Sequence, residues 1–496
     1  MRQLLAPSTA LLAVLAPVPA LADLSALDVW NNWRSYIEDT GYTIDVGGQD
    51  EVGSSLILRD IGLVVPDEEV DIRATISSME FRETGDGRVE ITVASDMPFS
   101  MSAENELDMT MIIRQSGLMV VASGDPSDIT YDLDAQSVSV EFDKFIVEGE
   151  AFEPEMRFAM TGLTGQSNVK QGDGWTVVGT SAVEAVTGNL DFEDPESGDA
   201  VSMVFSMADL KTDSTSFMSA ELDPMDPASL FSDAMDARAK VSLGDLNVAI
   251  SVAGDDAFDL TAAAASQELD FSISGGSLAY ETVSRGVNYA FSSPQMPLPP
   301  INVSIEETGG AFEFPLGLSE EFQDFRMMFY IRNLATEDFL WSMIDPSGMI
   351  PRDPASISVD ISGKLKVLAD IFDPDAIEDF DDDMPFELDS IDINDVSVSI
   401  AGAAIESDGS FFFDNTDLET FDGFPAPTGG VNIDIYGVNG LIDTLVQMGL
   451  IPDDQAMGAR MMMGAFARPA EGDDHLQSTI EVHSDGSVYA NGMQLQ

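Results

Sequence analysis

Residues 107–142 read LDMTMIIRQSGLMVVASGDPSDITYDLDAQSVSVEF. Met109, Met111 and Ile113 fall on every second position, as do Ile129, Tyr131 and Leu133, then Val138, Val140 and Phe142. A step of two sends successive side chains to opposite faces of a strand, so each run has one apolar and one wet face. Ser123-Gly124-Asp125-Pro126 sits between two of the runs as a turn signal. Outward from this stretch the same pattern holds. Val89, Ile91 and Val93 alternate, and Gly85-Asp86-Gly87, Gly162, Gly172-Asp173-Gly174 and Gly275-Gly276 are read as turns. Alternation broken by short Gly/Asp turns indicates successive antiparallel hairpins. Helical segments do not recur between the strands, which argues against a parallel α/β sheet. The fold class this predicts is α+β and β-rich: an extended antiparallel sheet or hairpin series with a few short helices.

Three regions follow. Residues 1–22 read as a signal peptide: Arg2 gives a positive end, Leu11–Leu15 an apolar centre, and Ala20-Leu21-Ala22 a small-x-small cleavage site. Residues 23–295 form a β-rich region that opens with a helix over Ser25–Thr40. There Ser25 and Asp28 have capping-box spacing, Leu27, Trp30, Trp33 and Ile37 share a face, and Gly41 stands at the C-cap. Two tryptophans on one helix face predict docking on a sheet. Ser292–Pro300 marks the boundary to a mixed α+β region, 296–496. In that region Thr336 is placed to cap a short helix ending at Asp345-Pro346. Ile391 and Ile393 precede an even-numbered set, Val396, Val398 and Ile400, so one extra residue near Asn394-Asp395 predicts a bulge. Asn439–Gly449 and Asp453–Ala467 read as a helical hairpin with Pro452 at the start of the second helix, and Thr479–Gln496 as a closing β-hairpin turning at Asp485-Gly486.

Composition narrows the function. The 496 residues carry 21 Lys and Arg against 89 Asp and Glu, a formal charge of −68, with no cysteine and two histidines. A disulfide scaffold, a cysteine nucleophile and a cysteine-ligated metal are excluded. Nucleic acid is excluded as a partner because phosphate binding needs a basic patch. No later stretch is apolar for long enough to span a bilayer, so no transmembrane span remains after signal cleavage. The acidic surface fits a solvated face in a saline compartment, or weak, distributed binding of Ca2+ or Mg2+. At most 21 of the 89 carboxylates can pair with a cation one to one, so self-repulsion outweighs attraction and salt should relieve it. The melting temperature is expected to rise between low salt and about 0.5 M, where the Debye length has fallen to a few ångströms; a flat melting curve series contradicts this.

No constellation for chemistry emerges. Glu378–Asp383 is the densest acidic run, but a calcium loop starting at Asp379 would need glycine where Met384 stands and glutamate where Ser390 stands. His475 and His483 have acidic neighbours but match no metal or triad spacing. Acidic pairs such as Asp67-Glu68 are certain to occur by chance at this composition, so a carboxylate-dependent hydrolase gains no support from them. Methionine is frequent, 26 in all. Thioethers fill irregular cores, line adaptable apolar grooves or hold Cu(I). The groove candidates are Leu445, Met448, Met457, Met461 and Met462; neither a resident metal nor a cofactor is expected. A membrane barrel is the weaker reading, since aromatics total only 8% and girdles need more.

The early helix with Trp30 and Trp33, the stretch Phe339–Gly363 (FLWSMIDPSGMIPRDPASISVDISG), Gly440–Asp474 and the ending SDGSVYANGMQLQ carry a family resemblance. The chain resembles an uncharacterised family of alphaproteobacterial exported proteins, catalogued as domain of unknown function 2125. The resemblance implies export and an acidic β-rich build, and it brings no catalytic residue with it. The reading that emerges is a non-catalytic periplasmic envelope protein binding an apolar, lipid-like ligand or an envelope protein partner. The rival is a cation-binding or salt-adapted structural protein.

Overall fold

In a computed structural model the described residues are 23–65, 70–103, 107–147, 150–152, 155–193, 198–223, 226–373, 376 and 385–495. Residues 1–22, read from the sequence as a signal peptide, and the acidic run Glu378–Asp383 lie outside them.

Alternation zips into a single antiparallel sheet of 27 strands among the described residues. Most strands pair with their successor in the chain. In several of the exceptions one long strand is matched by two short ones: Val70–Glu83 pairs with both Val89–Val93 and Asp96–Ala103, and Ala200–Ser219 with both Met235–Leu243 and Leu246–Ala253. Asp128–Val147, Gly174–Glu193 and Ala200–Ser219 each run 20 residues, against the usual 3–10. Among the described residues no pairing joins the first strand, Thr43–Val52, to the last ones, so the sheet stays open.

Five helices punctuate the sheet among the described residues: α1 (Ala26–Asp39), α2 (Pro227–Leu230), α3 (Asp338–Ile344), α4 (Val438–Gln447) and α5 (Asp453–Phe466). None is long and apolar enough to cross a membrane. The capping box of α1 forms as its spacing predicts: Asp28 N–H donates to Ser25 Oγ at 3.2 Å and Ser25 N–H donates to Asp28 Oδ2 at 3.1 Å. The N-cap of α3 is Glu337 rather than Thr336, which stays in the preceding strand. Pro452 is the N-cap of α5, one residue before its first turn. The bulge near Asn394 is present, as a register shift between Ile393 and Val396. The proline-rich stretch at 292–300 is a connection between two mutually paired strands, Ser277–Ser292 and Ile301–Pro315, so the sheet runs straight through it.

A crease crosses the sheet. Asp60, Gly117, Gly162, Asp209, Gly286 and Asn333 all have φ between 51° and 69°. The registers align them: Thr161↔Ala185 and Leu163↔Val183 bracket Gly162, while Val183↔Leu210 and Ala185↔Ala208 bracket Asp209. One left-handed residue bends a strand without ending it and swaps which parity faces the core. The same change of parity runs through neighbouring strands at the level of the crease: Val183 and Val186 are both buried in Gly174–Glu193, and the odd set Ile129, Tyr131, Leu133 and the even set Val138, Val140, Phe142 belong to Asp128–Val147, although neither strand holds a left-handed residue. Gly162, expected as a turn, is such a bend within Glu155–Gln171; a Cβ there would lie 2.5 Å from the Glu184 side chain.

The slip keeps apolar side chains on one face throughout. In register, Tyr280, Phe312, Met327, Ile361 and Ile393 form one row across five strands. Ile357, Val398, Ile405 and Ile435 form another. Much of this face is uncovered: Met327 is 54% and Phe329 49% exposed. The opposite face carries a ladder of ion pairs, with Arg285 between Glu268 and Glu307, and Arg332 on Glu307.

Candidate functional site

At the N-terminal end the apolar face is covered by α1. Leu24, Ala26, Val29 and Trp30 pack on Leu56, Leu58, Ile61, Phe81 and Val89, all buried. Trp30 meets Phe81 with ring centroids 6.0 Å apart and Trp33 at 6.1 Å. Three polar clamps fix the helix on the sheet. Ala26 N–H donates to Glu83 Oε1 at 3.1 Å. The buried Asn32 donates to the Pro126 carbonyl at 3.3 Å and accepts from the Tyr131 hydroxyl at 3.1 Å. Trp175 Nε1 donates to Asp39 Oδ2 at 2.9 Å.

The clamps hold α1 over the sheet without filling all the space beneath it. A cavity of about 690 Å3 remains between Trp33 and Tyr36 of the helix and Phe81, Val120, Leu133 and Val177 of the strands. Among the described residues no Asp, Glu, Lys, Arg or His lines it. The two phenols that reach it, Tyr36 and Tyr131, have pKa values pushed up by burial, so both are neutral donors. Toward the strands Glu155–Gln171, Gly174–Glu193 and Ala200–Ser219 the lining changes to Ser167, Ser181, Thr212 and Ser214, with Gly165 and Gly179 between them. The site is thus apolar at one end and hydroxyl-rich at the other. A second cavity, of about 720 Å3, lies against charged residues of the ion-pair face, among them Asp213, Arg238, Lys240, Glu281 and Arg326. Five of its eight charged lining residues are acidic and three basic, so unlike the first cavity it is charged and net negative.

The methionine helices are elsewhere. Met457, Met461 and Met462 are 64%, 69% and 68% exposed, while Leu445 and Met448 are half-buried. The structure does not bring these five residues together around a cavity it shares with α1. Helix α5 turns Ala456 inward and points its larger methionines at solvent; small residues allow the close approach that docks it.

The histidines are engaged rather than free. His475 stacks on Tyr436 at 4.4 Å, its Nδ1 lies 2.9 Å from the Glu471 carbonyl and its Nε2 2.7 Å from Asp434 Oδ1. Two acceptors on one ring favour the imidazolium, and first the carbonyl, then the carboxylate, raise the pKa above the ordinary value. Stability from this contact is fully present below the unfolded pKa of about 6.5 and is lost as pH rises through the higher folded value. Melting curves across that window should slope downward with pH in the native chain and flatten in His475→Gln; an unchanged slope contradicts the assignment. His483 stacks on Tyr489 at 4.6 Å. Among the described residues no three His, Asp or Glu side chains converge as a metal site.

Sequence reasoning passed over the cavity because its walls are far apart in the chain. The visible signal was in the strands: Ser167, Gly179, Ser181 and Ser214, which line the cavity, break an apolar alternation. No family model matches the chain, and no curated protein matches it.

Proposed function

We propose that the protein is a non-catalytic binder of amphiphiles in the periplasm, acting after removal of residues 1–22, and that it holds an acyl chain between α1 and the sheet. The observation that carries this is the uncharged cavity of about 690 Å3, within the about 300–1,000 Å3 typical of small-ligand sites. Burial of an apolar chain there removes about 0.8 kcal/mol of unfavourable hydration per CH2, so a long chain supplies enough to offset the cost of its own ordering. The apolar face continues beyond the cavity along Tyr280, Phe312 and Met327, which gives such a chain a surface to enter by.

Trp33 lines the cavity and reports on it. Titration with a monoacylglycerol bearing bromine on its chain should quench Trp33 fluorescence saturably. Non-saturating quenching, shared equally with a water-soluble bromide, counts against the proposal.

A further inference from the structure

Resting on the acyl-chain reading, we infer that the site selects amphiphiles whose head group is uncharged and hydrogen-bonding, and rejects those bearing phosphate or carboxylate. The argument is the placement of hydroxyls and the absence of cations at the polar end of the cavity. Ser167, Gly179 and Ser214 form one cross-strand row and Gly165, Ser181 and Thr212 the next. Both rows share a face with Tyr131, Leu133, Val169 and Val177 of the apolar floor, because Tyr131 pairs with Ser167 and Leu133 with Gly165. A chain lying under α1 therefore delivers its head to a patch of hydroxyls and bare backbone.

The glycines make room for that head. A Cβ on Gly179 would lie 3.3 Å from Ser214 Oγ, and one on Gly165 3.2 Å from the Thr180 carbonyl. Hydroxyls both donate and accept, so they suit hydroxyl or amide head groups. Among the described residues no Lys, Arg or His lines the cavity for an anion to pair with. The nearest basic residues in these strands, Lys170 and Lys211, have the opposite parity to Val169 and Thr212 and so sit on the other face, where Lys170 lies 3.6 Å from Asp128. The patch is only partly covered, with Ser181 exposed and Ser167, Thr212 and Ser214 half-buried, so a phosphate there gives up part of its water and gains no cation in exchange, while the chain's charge of −68 repels it at longer range. Both effects act in the same direction, but only the second is screened by salt.

The test compares a monoacylglycerol with the phosphate ester of the same monoacylglycerol, each below its micellar concentration, by Trp33 quenching or calorimetry on the mature chain. The neutral ligand should bind at least tenfold more tightly, and the gap should persist at about 0.5 M salt. Equal affinities overturn the head-group inference and leave the acyl-chain reading standing. Failure of both ligands to bind overturns the acyl-chain reading itself. A gap that disappears in salt assigns the discrimination to overall charge and overturns the local account. Ser181→Lys, checked for folding by circular dichroism, should narrow the gap; Thr212→Lys serves the same purpose if the first variant does not fold, and a gap unchanged in a folded variant contradicts the inference.

Discussion

Trp30→Ala is expected to lower unfolding stability by about 3–5 kcal/mol, the range for deleting a buried aromatic. Trp30 is 2% exposed and joins α1 to Phe81, with Trp33 of the same helix against its ring. The hole left behind could not close easily, because the Asn32, Glu83 and Trp175 contacts hold the helix at its distance from the sheet. Urea unfolding followed by far-ultraviolet circular dichroism measures the loss, and a change below about 1 kcal/mol would mean that α1 is not anchored as described. Trp33→Ala provides the contrast. Trp33 is only partly buried and lines the cavity, so its removal should cost less stability and more affinity. If the two variants behaved alike, the division between an anchoring and a lining tryptophan would fail.

Leu133→Trp should abolish acyl-chain uptake while leaving the chain folded. Leu133 projects into the cavity from the middle of Asp128–Val147. A larger side chain forced into a packed core typically costs about 1–3 kcal/mol, but here it enters free space, so the melting temperature should hold or rise. Affinity for a monoacylglycerol should fall by at least tenfold, about 1.4 kcal/mol or more. A variant that melts normally and binds normally places the ligand elsewhere. The uncovered row Tyr280, Phe312 and Met327 would then be the first region to probe, by substituting glutamine for Phe312.

The β-rich class, the α1 capping box and the bulge beside Asn394 were legible because each rests on neighbours within a few residues: a period, a cap spacing, a parity slip. The crease was harder to read. Gly162 and Gly286 look like turns, and Asp209 and Asn333 look like ordinary surface residues, yet all four adopt the left-handed conformation that Asp and Asn tolerate better than most side chains. Nothing local says that these bends line up, since the alignment comes from the pairing register. The cavity is further out of reach of local reading. Trp33, Tyr131 and Val177 meet only after the strands between them have paired. In helix α5 the methionines suggest a groove; the helix buries Ala456 and leaves Met461 exposed.

If the space under α1 holds an acyl chain, native mass spectrometry of residues 23–496, purified without detergent and mixed with an equimolar monoacylglycerol, should find one bound molecule per chain, released on unfolding and missing from Leu133→Trp. Bare protein at every ligand concentration, or the same bound mass on the native chain and on Leu133→Trp, would contradict it.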